Sequence, residues 1–186
     1  MCATGKNQSP INMAKGSFNL IPASEMTLEI PDFAEGAEFE NLGTTVEVLA
    51  EEAGGGSLEI GEKSYELKQF HFHLPSEHLD NGTSMAMEMH MVWQTAEQEI
   101  AVIGVYIDLD DGAASSAKSH YGRGSRGKAE KRSALEPRQS AATPSTLLET
   151  VLGSVDKIAT PGATTHTEPL AMSELVKLLT SGSFQS

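Results

Sequence analysis

Apolar and polar residues alternate along much of the chain up to about position 108, and alternation with a period of two marks strands with one buried face. Thr45–Leu49 reads Thr-Val-Glu-Val-Leu. Ser57–Ile60 and Ser64–Leu67 flank Gly61-Glu62-Lys63 and predict a hairpin. Three further strands are predicted over 68–74, 85–94 and 99–108. Beyond position 142 the period changes. Thr143 followed by Pro144 is a helix start, because proline lacks only an N–H that the first turn leaves unpaired. Leu147, Leu148, Val151, Leu152 and Val155 then recur at helical spacing. A second short helix is predicted over 173–180, with Leu175, Val176, Leu178 and Leu179 as its apolar positions and Gly182 near its end. The pattern gives a mostly β (α+β) fold: a twisted, largely antiparallel central sheet with short surface helices, in a single domain over 1–186.

Charge divides the chain. Seven of the 13 basic residues (Lys118, Arg123, Arg126, Lys128, Lys131, Arg132, Arg138) lie between 118 and 138, with only Glu130 and Glu136 as acids. That segment is net +5 and the remainder −18, for a total of −13. It is rich in Ser, Gly and Ala and has no hydrophobic period, so residues 113–142 read as a disordered insertion. A basic arm for nucleic acid or a membrane surface is the other reading. A single aromatic, Tyr121, among the cations is too little for base stacking, and the solvated loop is preferred. The acidic remainder argues against nucleic acid as a partner, and no apolar run approaches the ~20 residues of a membrane span. Nothing in the pattern marks an oligomeric state. Met1–Lys6 lacks the apolar stretch of a signal peptide, and one cysteine, Cys2, excludes a disulfide framework within the chain.

The chemistry concentrates in two of the strands. In Gln69-Phe70-His71-Phe72-His73, alternation puts Gln69, His71 and His73 on one face and the phenylalanines on the other. In Met87-Glu88-Met89-His90-Met91-Val92-Trp93, Glu88, His90 and Val92 share a face opposite the methionines and Trp93. If these strands pair antiparallel, His71, His73 and His90 can converge on one ion. A zinc-bound imidazole usually donates its other ring N–H to an oxygen, and Gln69 and Glu88, each two residues before a histidine, are placed to accept it. Three neutral imidazoles would leave Zn2+ its full charge and one open position for water. A second reading is a cupin-like metal oxygenase, in which His71-x-His73-x3-Glu77 would supply a ligating Glu77. It is disfavoured because Tyr65 stands where that motif expects glycine.

These segments, with Ser76-Glu77-His78 and the Gln8-Ser9-Pro10-Ile11 stretch near the start, resemble the zinc-site region of α-class carbonic anhydrases. Ala101–Asp108 resembles the strand that follows the third ligand, and the stretch from Ser145 onward resembles the family's later helices. The resemblance implies Zn2+ bound by His71, His73 and His90, Gln69 and Glu88 as orienting residues, and reversible hydration of carbon dioxide to bicarbonate. It likens Glu77 to the glutamate that hydrogen-bonds a gatekeeping threonine, a catalytic role, and His78 to a buried structural histidine. Thr44 falls where the family carries its proton-shuttle histidine, so no shuttle residue is expected. The threonine segment itself would begin just after Ser186, so the domain is expected to be C-terminally truncated, incomplete relative to the family and impaired in activity. Loss of strands would leave the Met87–Met91 face exposed. The alternative is a non-catalytic zinc-binding pseudoenzyme or fragment. Cys2 resembles a cysteine of secreted members, which implies secretion. Asn81-Gly82-Thr83 and Asn7-Gln8-Ser9 are glycosylation sequons, and His120 and His166 receive no role.

Overall fold

A computed structural model describes residues 4–5, 8–14, 16, 19–22, 25–109, 146–181 and 184–185. The chain divides into two units, residues 1–108 with 144–186, and residues 109–143. The predicted insertion over 113–142, like Cys2 and the Thr143-Pro144 helix start, lies outside the described residues.

Thirteen strands and two α-helices are described. The strands are β1 (Asn12–Met13), β2 (Leu20–Ile21), β3 (Met26–Glu29), β4 (Glu38–Asn41), β5 (Val46–Leu49), β6 (Ser57–Ile60), β7 (Lys63–His73), β8 (Leu79–Asp80), β9 (Thr83–Ser84), β10 (Met87–Gln94), β11 (Ile100–Ile107), β12 (Thr164–His166) and β13 (Phe184–Gln185). The helices are α1 (Thr146–Leu152) and α2 (Met172–Thr180), with a 3-10 turn at Val155–Ile158 between them. Eight strands form the main sheet in the order β11-β10-β7-β5-β4-β12, with β6 also beside β7 and β3 beside β6. Every pair in it is antiparallel. The one parallel pair among the described residues, β1 with β8, belongs to a small sheet completed by β9. The predicted α+β architecture is the one observed. No helix among the described residues is long and apolar enough to cross a membrane.

The β6–β7 hairpin forms, but its turn is the two residues Gly61-Glu62, with Gly61 at φ 60°, because Lys63 already pairs with Ile60. What reads as two strands over 64–67 and 68–74 is one strand, β7, carrying a bulge. Val92 faces Gln69 but Trp93 faces Leu67, so Lys68 is an extra residue. The extra residue reverses the phase of alternation: Tyr65 and Leu67 are buried before it, Phe70 and Phe72 after it. All four apolar rings and chains thereby reach one core, and His71 and His73 turn to the other face.

That core holds Phe39, Val48, Phe70, Phe72, Met89, Met91 and Trp93, with Leu147 and Val151 of α1 and Met172 and Leu175 of α2. Met89 and Met91 are therefore buried and Met87 is half-buried against the same core, contrary to the expected exposed methionine face. Two other expectations also fail. Strand β7 ends at His73, and Leu74 is 73% exposed instead of continuing the phenylalanine face. Helix α1 stops at Leu152, where the Gly153 N–H closes on Glu149 O (2.9 Å). Leu152 and Val155 thus leave the apolar face, and Ile158 is buried in their place. Helix α2 begins one residue before the expected Ser173, and Asp32 caps it by accepting the Ser173 N–H (2.8 Å). Phe70, fully buried, sets the scale of the core: Phe70→Ala is expected to cost about 3–5 kcal/mol through lost burial and an unfilled cavity, read as a lowered urea midpoint.

Candidate metal centre

The pairing of β7 with β10 places His90 directly opposite His71 and Glu88 opposite His73. Directly opposed residues of an antiparallel pair project to the same face. The rings of His71, His73 and His90 accordingly gather on the face away from the core, with centroids 5.1, 5.2 and 4.7 Å apart. Each offers a nitrogen within 4.8 Å of the other two.

Hydrogen bonds decide which nitrogens are available. His71 Nδ1 lies 2.9 Å from Gln69 Oε1. An amide oxygen only accepts, so Nδ1 carries the proton and the lone pair falls on Nε2. His90 Nε2 lies 3.0 Å from Glu88 Oε1, which fixes that proton and frees Nδ1. His73 Nε2 is buried with no hydrogen-bond partner. A buried polar atom without a partner is costly and rare in a folded protein, and this one stands among two other histidines. Three imidazole nitrogens within 4.8 Å of one another, two of them freed by a hydrogen bond at the other ring nitrogen, fit Zn2+, a borderline ion that favours nitrogen donors.

Glu88 does more than its sequence position implies. Its carboxylate accepts from His90 Nε2–H, from His78 Nδ1–H (2.9 Å) and from the His78 backbone N–H (2.8 Å). Burial pushes this carboxyl up. The His78 backbone bond, the His90 bond and the charge of both imidazoles outweigh it and hold the pKa below its ordinary 4.5. His78 in turn lies 3.4 Å, through Nε2, from the hydroxyl of Ser9 in the Gln8–Ile11 motif. Glu77 Oε2 stands 3.9 Å from both His78 Nδ1 and His90 Nδ1. Glu77, His78 and His90 form a second group of potential ligand atoms. The first group fits a metal better, because His78 Nδ1 is already committed to Glu88. Glu77 does not join His71 and His73 in a group, as a cupin-like set would require.

Sequence reasoning did not single out Glu47, Val102 or Gly104. All three follow from register: Glu47 lies opposite His71, Val102 opposite Val92 and Gly104 opposite His90. Burial, and then the charge of Glu40 across the ladder, raise the Glu47 carboxyl above its ordinary 4.5. Val92 and Val102 make the site face apolar beside His90. Thr44 is exposed in the turn before β5.

Burial, reinforced by the His90 and His73 rings and opposed by Glu77, lowers the His71 pKa from 6.5 to about 4. Between those values the unfolded chain holds a proton on His71 that the folded, metal-free chain does not. Stability is therefore fully present above pH 6.5 and declines as pH falls toward 4. Urea unfolding of the metal-free chain across this range is expected to show the decline, and His71→Gln to make it shallower.

An antiparallel sheet with three histidines on one face, two steered by hydrogen bonds and one left unpaired, offers a candidate histidine-type metal centre. The chain belongs to the eukaryotic-type carbonic anhydrase family, whose model matches residues 1–121. It is 37% identical over 105 residues to a carbonic anhydrase of Neisseria gonorrhoeae, covering 56% of this chain and 40% of that protein. It is 38% identical over 105 residues to alpha carbonic anhydrase 3 of Arabidopsis thaliana, covering 56% of this chain and 38% of that protein. The fungal alpha carbonic anhydrase from Aspergillus oryzae superposes with a TM-score of 0.73 at 30% identity, over 96% of this chain and 62% of that one. The Photobacterium profundum alpha-carbonic anhydrase gives 0.63 at 28% identity, over 94% and 62%. The chain spans about two fifths of the length of these curated relatives.

Proposed function

We propose that this chain binds one Zn2+ through His71 Nε2, His73 Nε2 and His90 Nδ1 and hydrates carbon dioxide reversibly to bicarbonate. The observation that carries the reading is the unpartnered, buried His73 Nε2 beside two histidines whose other nitrogens are already engaged. Zinc on three neutral imidazoles supplies Lewis acidity, which makes a water acidic near neutral pH. The protein's own residues do the rest. Gln69 and Glu88 hold the ring protons of His71 and His90 away from the metal position. Val92 and Val102 offer an apolar surface to a small, uncharged substrate. Glu77 holds a carboxylate beside His90, where it can orient a water by accepting its hydrogen bond. Residues 1–186 form one carbonic-anhydrase-like domain interrupted over 113–142, and by the same family resemblance the protein is secreted.

A second reading is zinc binding without turnover: among the described residues no hydroxyl hydrogen-bonds Glu77, whose nearest charged-group contacts are the His78 and His90 imidazoles at 3.9 Å. One experiment separates the two. The purified chain is loaded with Zn2+, its metal content is measured, and carbon dioxide hydration is followed on the same sample with and without a sulfonamide. Near one zinc per chain with sulfonamide-sensitive hydration supports the enzyme. One zinc without hydration selects the second reading, and negligible zinc rejects both.

A further inference from the structure

Gly104 sits in the middle of β11, a strand otherwise built of Ile, Ala, Val and Tyr. Its φ is not in the left-handed region, so no backbone conformation calls for glycine there. Glycine weakens a strand interior, and where it persists it often marks a close approach by another group. Here the group is identifiable. A Cβ on Gly104 would stand 3.3 Å from Glu88 Oε1, 3.6 Å from His90 Cδ2 and 3.9 Å from His90 Nε2. The Glu88 oxygens cannot yield freely, because three donors already hold them: His90 Nε2–H, His78 Nδ1–H and the His78 N–H.

We propose that Gly104 is a positioning residue for the metal ligand His90: its missing side chain reserves the space in which Glu88 clasps the His90 ring. The residue touches neither metal nor substrate and acts through Glu88. Alanine at this position presses on Oε1 by a few tenths of an ångström. Valine adds two methyl groups to that already close Cβ, and the added crowding is expected to turn the carboxylate or the imidazole.

The inference rests on the zinc reading, and its test keeps the two apart. Zinc affinity is measured for the wild-type chain, Gly104→Ala and Gly104→Val by competition with a chelator, in wild-type and Glu88→Ala backgrounds. The His90 Nε2–H proton is followed by NMR in the metal-free chain. The expected result is a graded loss, a few-fold for alanine and about 10–100-fold for valine, the range typical of outer partners of metal ligands. In the Glu88→Ala background neither substitution should weaken binding further. The His90 Nε2–H signal should shift or exchange faster in the valine variant, and metal-free stability should fall by less than in Glu88→Ala, because valine's strand preference offsets part of the lost bond. Wild-type affinity in both variants, an undiminished loss without Glu88, or an unchanged His90 signal would overturn the assignment. Should the wild-type chain itself fail to take up zinc, the zinc reading falls, and the NMR comparison still decides whether Gly104 positions His90.

Discussion

His73→Ala is expected to remove stoichiometric zinc binding. Its Nε2 is the one ring nitrogen of the three-histidine group that is buried without a partner, and the other two rings are fixed by Gln69 and Glu88 whether or not a metal is present. Removing one of three ligands forfeits roughly 3 kcal/mol or more of metal binding, at least ~100-fold in affinity. The metal-free chain should lose little, because alanine also removes a buried nitrogen that nothing in the protein satisfies. Isothermal titration with Zn2+ and thermal unfolding with and without metal check both halves. Wild-type zinc affinity in His73→Ala would contradict the ligand assignment, whereas a large loss of metal-free stability would point to a structural role for the ring.

Glu88→Ala is expected to be the most damaging single substitution at the site, and for the opposite reason. Three donors converge on one buried carboxylate. Truncation strands all three, at about 3–5 kcal/mol of stability, comparable with breaking a buried ion pair. It also frees His90 to place its proton on Nδ1, the nitrogen needed by the metal, so zinc affinity should fall a further ~10–100-fold. Urea unfolding of the metal-free chain reads the first effect and chelator competition the second. Glu88→Gln separates charge from shape: its amide keeps one acceptor but turns an NH2 toward a donor, so it should restore only part of either loss. Near-wild-type stability for the alanine variant would mean that the carboxylate is not the hub described.

Much of this site was written in local alternation. The i, i+2 spacing placed Gln69, His71 and His73 on one face and Glu88 and His90 on another, and pairing of the two strands follows from their complementary apolar faces. Less visible was the bulge at Lys68. The sequence offered two abutting strands because the hydrophobic phase slips there, and only the register with β10 shows one strand reversing its faces. The double engagement of Glu88 depends on a loop that returns His78 to the sheet, a tertiary event with no local period. Gly104 and Val102 became relevant only once β11 was in register with β10. Strands β4 (Glu-Phe-Glu-Asn) and β12 (Thr-Thr-His) carry one apolar residue and none, so no alternation marks them. The apolar spacing runs on past Gly153 to Val155 and so overextends helix α1, whereas the backbone turns there.

The most direct measurement is X-ray absorption at the zinc edge on the chain loaded with one equivalent of metal. Convergence of His71, His73 and His90 predicts about three imidazole nitrogens at ~2.0–2.1 Å and one further light-atom ligand, with no sulfur. A spectrum dominated by carboxylate oxygens, containing sulfur, or showing fewer than two imidazoles would contradict it.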